Sequence, residues 1–101
     1  MNTQLLAGGV GQACRIALPS RPGSGATWYV DAPSAALQVT LERTEESGIR
    51  RGGSQVFLVV GEMPGEYELR FVLRRAWERQ ERGSKRVLVQ VRGASARRPG
   101  N

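Results

Sequence analysis

The chain has 101 residues, of which 40% are hydrophobic, and this suffices for one domain with a modest core. Its formal net charge is +6, but the basic residues alternate with glutamates instead of forming a block. We therefore expect a solvated basic surface and no nucleic-acid partner. The chain has no His and a single cysteine, Cys14, which excludes an imidazole base, a zinc cluster and an intrachain disulfide. The composition predicts neither an enzyme nor a cofactor.

The sequence contains no convincing signal peptide or membrane helix. No apolar run approaches the roughly 20 residues of a membrane helix. The first residues lack the basic stretch and the long apolar run of a signal peptide. As written, the chain is expected in the cytoplasm, or in the periplasm or outside the cell if a leader has been removed. We expect a monomer with no membrane partner.

Short segments that alternate apolar and polar side chains predict β-strands along the whole chain. The expected strands are a short one within residues 1–11, followed by residues 12–18, 27–31, 37–41, 55–61, 66–74 and 85–92. Turn residues separate these segments, and no helical period is present. Residues 55–61 form the most apolar run, which is typical of a central strand buried on both faces.

The alternation also predicts which side chains form the core. Those expected to point inward include Cys14, Ile16, Leu18, Trp28, Val30, Leu37, Val39, Leu41, Phe57, Val59, Leu69, Phe71, Val87, Val89 and Val91. Cys14 is accordingly interpreted as a small core residue instead of a reactive thiol.

About seven short antiparallel strands in a chain of this length predict an all-β, immunoglobulin-like β-sandwich without a disulfide. The domain is expected to span residues 1–93. Residues 94–101 contain Gly, Ala, Ser, Arg and Pro, and are expected to form a disordered tail.

Three segments between the strands carry turn residues, glycines or a tryptophan in polar surroundings. They are residues 21–25, 48–53 and 75–78. In a Greek-key sandwich, connections of this kind can gather at one end of the molecule. A rigid scaffold that presents small-residue loops is a common way to build a binding surface.

These segments resemble, in the same order, the three loop motifs of the chagasin family, which inhibits papain-like cysteine proteases. Residues 21–28, Arg-Pro-Gly-Ser-Gly-Ala-Thr-Trp, keep the Pro, Gly and Trp of the family's Asn-Pro-Thr-Thr-Gly-aromatic-x-Trp. Gly48 and residues 51–57, Arg-Gly-Gly-Ser-Gln-Val-Phe, are similar to its Gly-x-Gly-Gly loop, and residues 75–78, Arg-Ala-Trp-Glu, to its Arg-Pro-Trp-Glu.

This sequence departs from the family pattern at four positions. Arg21 replaces Asn, Gly23 replaces the first Thr, Ala26 replaces the aromatic residue, and Ala76 replaces Pro. Three of these positions lie in the first motif, the one that approaches the protease's catalytic centre in the family.

The resemblance implies inhibition by occlusion, in which three loops enter the substrate cleft of a papain-like protease without covalent chemistry. The protease-binding residues would be Arg21, Pro22, Gly23, Ser24, Gly25, Ala26, Arg51, Gly52, Gly53, Arg75, Ala76, Trp77 and Glu78. Small residues at the first loop would let the backbone approach the catalytic thiolate. Trp77 would lie on the cleft wall as an interface anchor, and Arg75 would pair with acidic groups at the rim.

Other interpretations remain open on the residues alone. The same loops could belong to a protein-binding adaptor module whose partner is not a protease. Trp77 could fold back onto the edge of the core instead of facing a partner. Gly52 and Gly53 could form no more than a tight hairpin turn.

Overall fold

The computed structural model describes residues 3–20, 25–31, 34–46 and 53–93. All regular structure in this part of the chain is β-structure. The strands are β1 (Thr3–Gly9), β2 (Ala13–Ser20), β3 (Ala26–Asp31), β4 (Leu37–Glu46), β5 (Gly53–Gly61), β6 (Gly65–Arg75) and β7 (Gly83–Arg92). No helix among these residues is long and apolar enough to cross a membrane.

The strands form two sheets, as predicted for a sandwich. One sheet has four strands in the order β1-β7-β6-β3, and the other has three in the order β2-β5-β4. The immunoglobulin-like, disulfide-free fold class is therefore confirmed. Residues 94–101, predicted to be disordered, lie outside the described residues, and the single-domain assignment stays a prediction.

One strand pairing differs from the expectation of antiparallel strands throughout. Strand β1 runs parallel to β7, with Thr3 opposite Arg86 and Gly9 opposite Arg92. The reason is that the chain changes sheets between β1 and β2, through a turn in which Gln12 N–H donates to the Gly9 carbonyl at 3.1 Å. Because β2 pairs with β5 instead, β1 is free to join the outer edge of β7.

The core lies between the two sheets and consists of the side chains that alternation predicted to point inward. It contains Ile16, Leu18, Trp28, Leu37, Phe57, Val59, Leu69, Phe71, Val87, Val89 and Val91. The rings of Phe57 and Phe71, from opposite sheets, approach to 5.1 Å between centroids and are tilted by 54°. Cys14 is only half-buried at the margin of this core, with its Sγ 3.7 Å from the Ala7 carbonyl oxygen.

The predicted burial of Leu41 is wrong. Leu41 lies opposite Phe57 in the ladder and so belongs to the inner face, yet it is 46% exposed. Strand β4 is an edge strand, and its register shifts immediately after Leu41. The strand also extends beyond its predicted end at residue 41 and continues to Glu46.

Candidate functional site

The strand ends that carry the three predicted loops lie at one end of the sandwich. In the three-stranded sheet, Gly53 is opposite both Ser20 and Glu46. In the four-stranded sheet, Ala26 is opposite Arg75. The short connection from β2 to β3 joins Ser20 in the first of these sheets to Ala26 in the second, so both sets of strand ends lie at the same end of the sandwich. We call it the loop end, with the first loop at 21–25, the second at 47–52 and the third at 76–82.

The structure places seven of the predicted binding residues. Gly25, Ala26, Gly53, Arg75, Ala76, Trp77 and Glu78 are described, whereas Arg21, Pro22, Gly23, Ser24, Arg51 and Gly52 lie outside the described residues. Ala76 and Gly25 are exposed, and Gly53 is half-buried at the start of β5. Ala26 begins β3 and is buried, so its side chain does not face solvent.

The first and third loops are in contact through Gly25 and Trp77. Gly25 has a φ of 79°, a left-handed conformation that glycine adopts without steric cost. A Cβ at Gly25 would lie only 3.2 Å from Trp77 Cη2. The indole therefore rests close against this glycine, and a side chain at position 25 would require the indole to shift by a few tenths of an ångström.

Trp77 is an exposed residue, which excludes the alternative that it folds back onto the core edge. Its exposed fraction is 71%, the highest among the large hydrophobic side chains that the structure describes. The Arg75 guanidinium lies 5.9 Å from the indole centroid, at the outer limit of a cation–π contact. A large, rigid apolar group is thus displayed at the loop end.

Backbone and side-chain hydrogen bonds fix the third loop. Arg82 N–H donates to the Leu73 carbonyl at 2.6 Å, and Glu78 N–H donates to the Arg75 carbonyl at 3.1 Å. The Arg74 guanidinium donates to the Glu78 carbonyl at 3.2 Å and lies 4.5 Å from the Tyr29 ring centroid. The loop is consequently braced against β3 as well as β6.

The carboxylates of the third loop are engaged by arginines of the same molecule. Glu78 accepts from Arg75 at 3.3 Å and from Arg82 at 3.2 Å. Glu81 pairs with Arg70 at 2.7 Å, and this hydrogen bond is the largest cause of the raised pKa of Arg70, ahead of the bond to Asp31. Arg75, expected to pair with acidic groups of a partner, is therefore already paired with Glu78.

Gln55 and Trp28 support the root of the first loop, a role that the sequence analysis did not assign to Gln55. The Trp28 backbone N–H donates to Gln55 Oε1 at 3.0 Å, and Trp28 Nε1–H donates to the Pro19 carbonyl at 2.7 Å. These bonds join β3 of one sheet to β5 and β2 of the other. The available signal was a polar residue at the head of the most apolar strand, since a buried amide needs a partner.

A shallow groove of about 300 Å³ borders the loop end between the edge strands β3 and β4. Its lining includes Ala26 and Thr27 from β3 and Leu41 and Thr44 from β4, none of them charged. Ser20 also contributes to it, and the Ser20 Oγ is buried with no hydrogen-bond partner among the described residues.

The loop end offers groups that bind rather than groups that react. Within the described ranges, no three His, Cys, Asp or Glu side chains are placed to hold a metal ion. What the end presents is an exposed indole, a glycine backbone beside it and several guanidinium groups. Such a surface suits recognition of another protein.

Comparison with known proteins gives one family match and structures of the same fold. Residues 9–91 match the family model described as chagasin family peptidase inhibitor I42. No curated protein sequence matches the chain.

Two solved structures share the fold. The crystal structure of EhICP2, a cysteine protease inhibitor from Entamoeba histolytica, is similar with a TM-score of 0.64 at 15% identity, covering 90% of this chain and 96% of that one. The solution structure of amebosin is similar with a TM-score of 0.60 at 23% identity, covering 89% and 88%. At such identities the likeness concerns the fold.

Proposed function

Since the chain belongs to the chagasin family of peptidase inhibitors, we propose that it blocks papain-like cysteine peptidases by placing its loop end in their substrate cleft. A member of this family is an inhibitor and not an enzyme, and its partner is a peptidase. The cysteine class of the target is supported by the motif resemblance and by the similar inhibitor EhICP2.

The observation that carries this proposal is the exposed Trp77 resting on Gly25 at the loop end. An aromatic side chain that is already held in place loses little conformational entropy on binding, and tryptophan is enriched among interface residues of large energetic effect. Burying it against the cleft wall would remove a large apolar surface from water. Residues 23–25 are small, and would allow the backbone of the first loop to approach the catalytic thiolate.

The proposed contact set consists of the three loops and needs no covalent step. Arg21, Pro22, Gly23, Ser24, Gly25 and Ala26 belong to the first contact segment, Arg51, Gly52 and Gly53 to the second, and Arg75, Ala76, Trp77 and Glu78 to the third. The side chain of Ala26 is buried, so Ala26 would support the first loop from below instead of touching the peptidase with its side chain. Each inhibitor monomer has one loop end, so one inhibitor would occupy one peptidase.

Titration against papain and a cathepsin-L-like peptidase, with a fluorogenic peptide as substrate, tests the proposal. We expect reversible inhibition with a Kd below about 1 μM. Trp77→Ala should weaken inhibition by about 30-fold, the effect of losing about 2 kcal/mol at an interface hot spot.

Met63→Ala is the matched control, because Met63 is 60% exposed but lies in the turn between β5 and β6, away from the loop end. It should inhibit like the wild type. A wild-type chain that leaves both peptidases fully active at micromolar concentration would overturn the proposal. Capture of a different protein that depends on Trp77 would then favour the adaptor alternative.

A further inference from the structure

We propose that Arg79 is a specificity-determining residue of the loop end and that it pairs with a carboxylate on the wall of the peptidase cleft beside the site of Trp77. The inference rests on the proposed function, and it goes beyond the predicted contact set, which did not include Arg79. It follows from the way in which the charges of the third loop are distributed.

Four arginines lie in or next to the third loop, and three have partners within the molecule. The Arg74 guanidinium is held by the Glu78 carbonyl and the Tyr29 ring. Arg75 and Arg82 share the carboxylate of Glu78 at 3.3 and 3.2 Å. Arg79 is exposed and has no hydrogen bond or ion pair with any residue in the described ranges.

Both carboxylates of the third loop are already paired with other arginines, so neither is available to Arg79. Glu78 already faces two guanidinium groups, and Glu81 is held by Arg70 in two hydrogen bonds of 3.2 and 2.7 Å. The loop thus neutralises its own acidic groups and leaves the guanidinium of Arg79 without an acidic partner in the part of the chain that the structure describes. That guanidinium belongs to a residue two positions after the exposed Trp77, on a segment braced by backbone hydrogen bonds.

The chemistry of the complementary surface follows from this pair of side chains. Trp77 would be received by an apolar patch, and an acceptor near that patch would pair with Arg79, which lies two positions away in the same loop. A carboxylate suits a guanidinium best, because it accepts two parallel N–H groups in one plane. Exclusion of water by the indole would lower the local dielectric and make this ion pair stronger than an exposed one.

The consequence for the partner is discrimination by charge. Peptidases with Asp or Glu beside the apolar site on the cleft wall would be bound more tightly than peptidases with a neutral group there. A Lys or Arg at that position would repel Arg79. Net charge alone could also favour acidic peptidases, so the test must separate a local pair from general attraction.

Arg92 provides the matched control for this separation. It is exposed at the end of β7, opposite the loop end, and likewise makes no ion pair with a described residue. Arg79→Glu and Arg92→Glu each replace one positive charge by one negative charge, so both lower the net charge of +6 by two. Only the first changes the loop end.

The experiment measures inhibition constants, association rates and dissociation rates for the wild type, Arg79→Glu, Arg79→Lys and Arg92→Glu, at low and high salt. The target is a peptidase that the wild type inhibits. We expect Arg79→Glu to bind at least about tenfold more weakly, chiefly through faster dissociation, and Arg79→Lys to retain part of the affinity. Arg92→Glu should stay within about threefold and change mainly the association rate.

Reversing single charges on the peptidase identifies the carboxylate that pairs with Arg79. Changing single Asp or Glu residues of the peptidase's cleft wall to Lys should restore tight binding to Arg79→Glu at one position. Equal losses for Arg79→Glu and Arg92→Glu, or unchanged inhibition by Arg79→Glu, would overturn the inference while leaving the proposed function intact. Absence of inhibition by the wild type would overturn both. Thermal unfolding of all variants verifies that each is folded.

Discussion

At the scale of single residues, the contact between Gly25 and Trp77 makes two loops into one unit. A side chain at position 25 would strain a backbone with a φ of 79° and place its Cβ 3.2 Å from Trp77 Cη2. We expect Gly25→Ala to displace the indole and to weaken inhibition to a similar extent as Trp77→Ala. Combined, the two changes should weaken it by much less than the product of the single effects.

A substitution at Gly11 provides the control that distinguishes the effect of backbone strain from the effect of displacing the indole. It has the same φ of 79°, but a Cβ there would meet no atom within 4 Å. Gly11→Ala should lower the unfolding free energy by about 1 kcal/mol and leave the inhibition constant unchanged. Additive losses for Gly25→Ala and Trp77→Ala would show that the two residues act independently.

At the scale of strands, Gly61 marks a close approach between the two sheets. It is buried at the end of β5, and an added Cβ would come within 2.9 Å of Val91 Cγ1 on β7 of the other sheet. Gly61→Ala should therefore lower the unfolding free energy in urea by about 1–3 kcal/mol through overpacking. Shortening the opposing side chain by Val91→Ala in the same chain should recover part of that loss.

The control for Gly61 is another strand glycine with room for a side chain. At Gly9 an added Cβ would lie 3.7 Å or more from its nearest neighbours, which is ordinary contact. Gly9→Ala should change the unfolding free energy little. If the losses of Gly61→Ala and Val91→Ala simply add, the two positions are not in steric conflict.

Sequence patterns predicted strands and inward faces well because both depend on neighbours in the chain. Alternation places Phe71 and Leu41 on inner faces equally, but Leu41 lies on the edge strand β4, just before a register shift, and is left 46% exposed. The parallel pairing of β1 depends on a strand far away in sequence and has no local signal. Likewise, the pairing of Arg75 with Glu78 arises from the tight turn that ends β6.

At the scale of the whole molecule, an ion pair across the outer face of the three-stranded sheet links stability to pH. Arg15 on β2 donates two hydrogen bonds, of 2.9 and 3.1 Å, to Glu42 on β4, spanning the central strand β5. The bond from Arg15 is the largest cause of the lowered pKa of Glu42. A lowered pKa in the folded state means that the unfolded state takes up the proton more readily.

The contribution of this pair is therefore present at neutral pH and is lost as the pH falls through the acidic range below the ordinary pKa of glutamate. Between pH 7 and about pH 3, the wild type should lose more stability in urea than Glu42→Gln. The difference should be small and should shrink in high salt, because the pair is exposed. Glu62→Gln, at an exposed glutamate with no ion pair among the described residues, serves as the control. An identical pH profile for Glu42→Gln and the wild type would contradict this assignment.

The parallel pairing of β1 with β7 also determines how far a tag before β1 would lie from the loop end. Thr3 lies opposite Arg86, three residues from the start of β7 at Gly83, which is about 10 Å along the strand from the loop end. The last described residue, Gly93, follows the other end of β7. A purification tag or surface linker attached directly before Thr3 would therefore lie close to a peptidase bound at the loop end. A tag attached directly after Gly93 would start from the opposite end of β7, which makes that position the better site for immobilising the protein in binding assays.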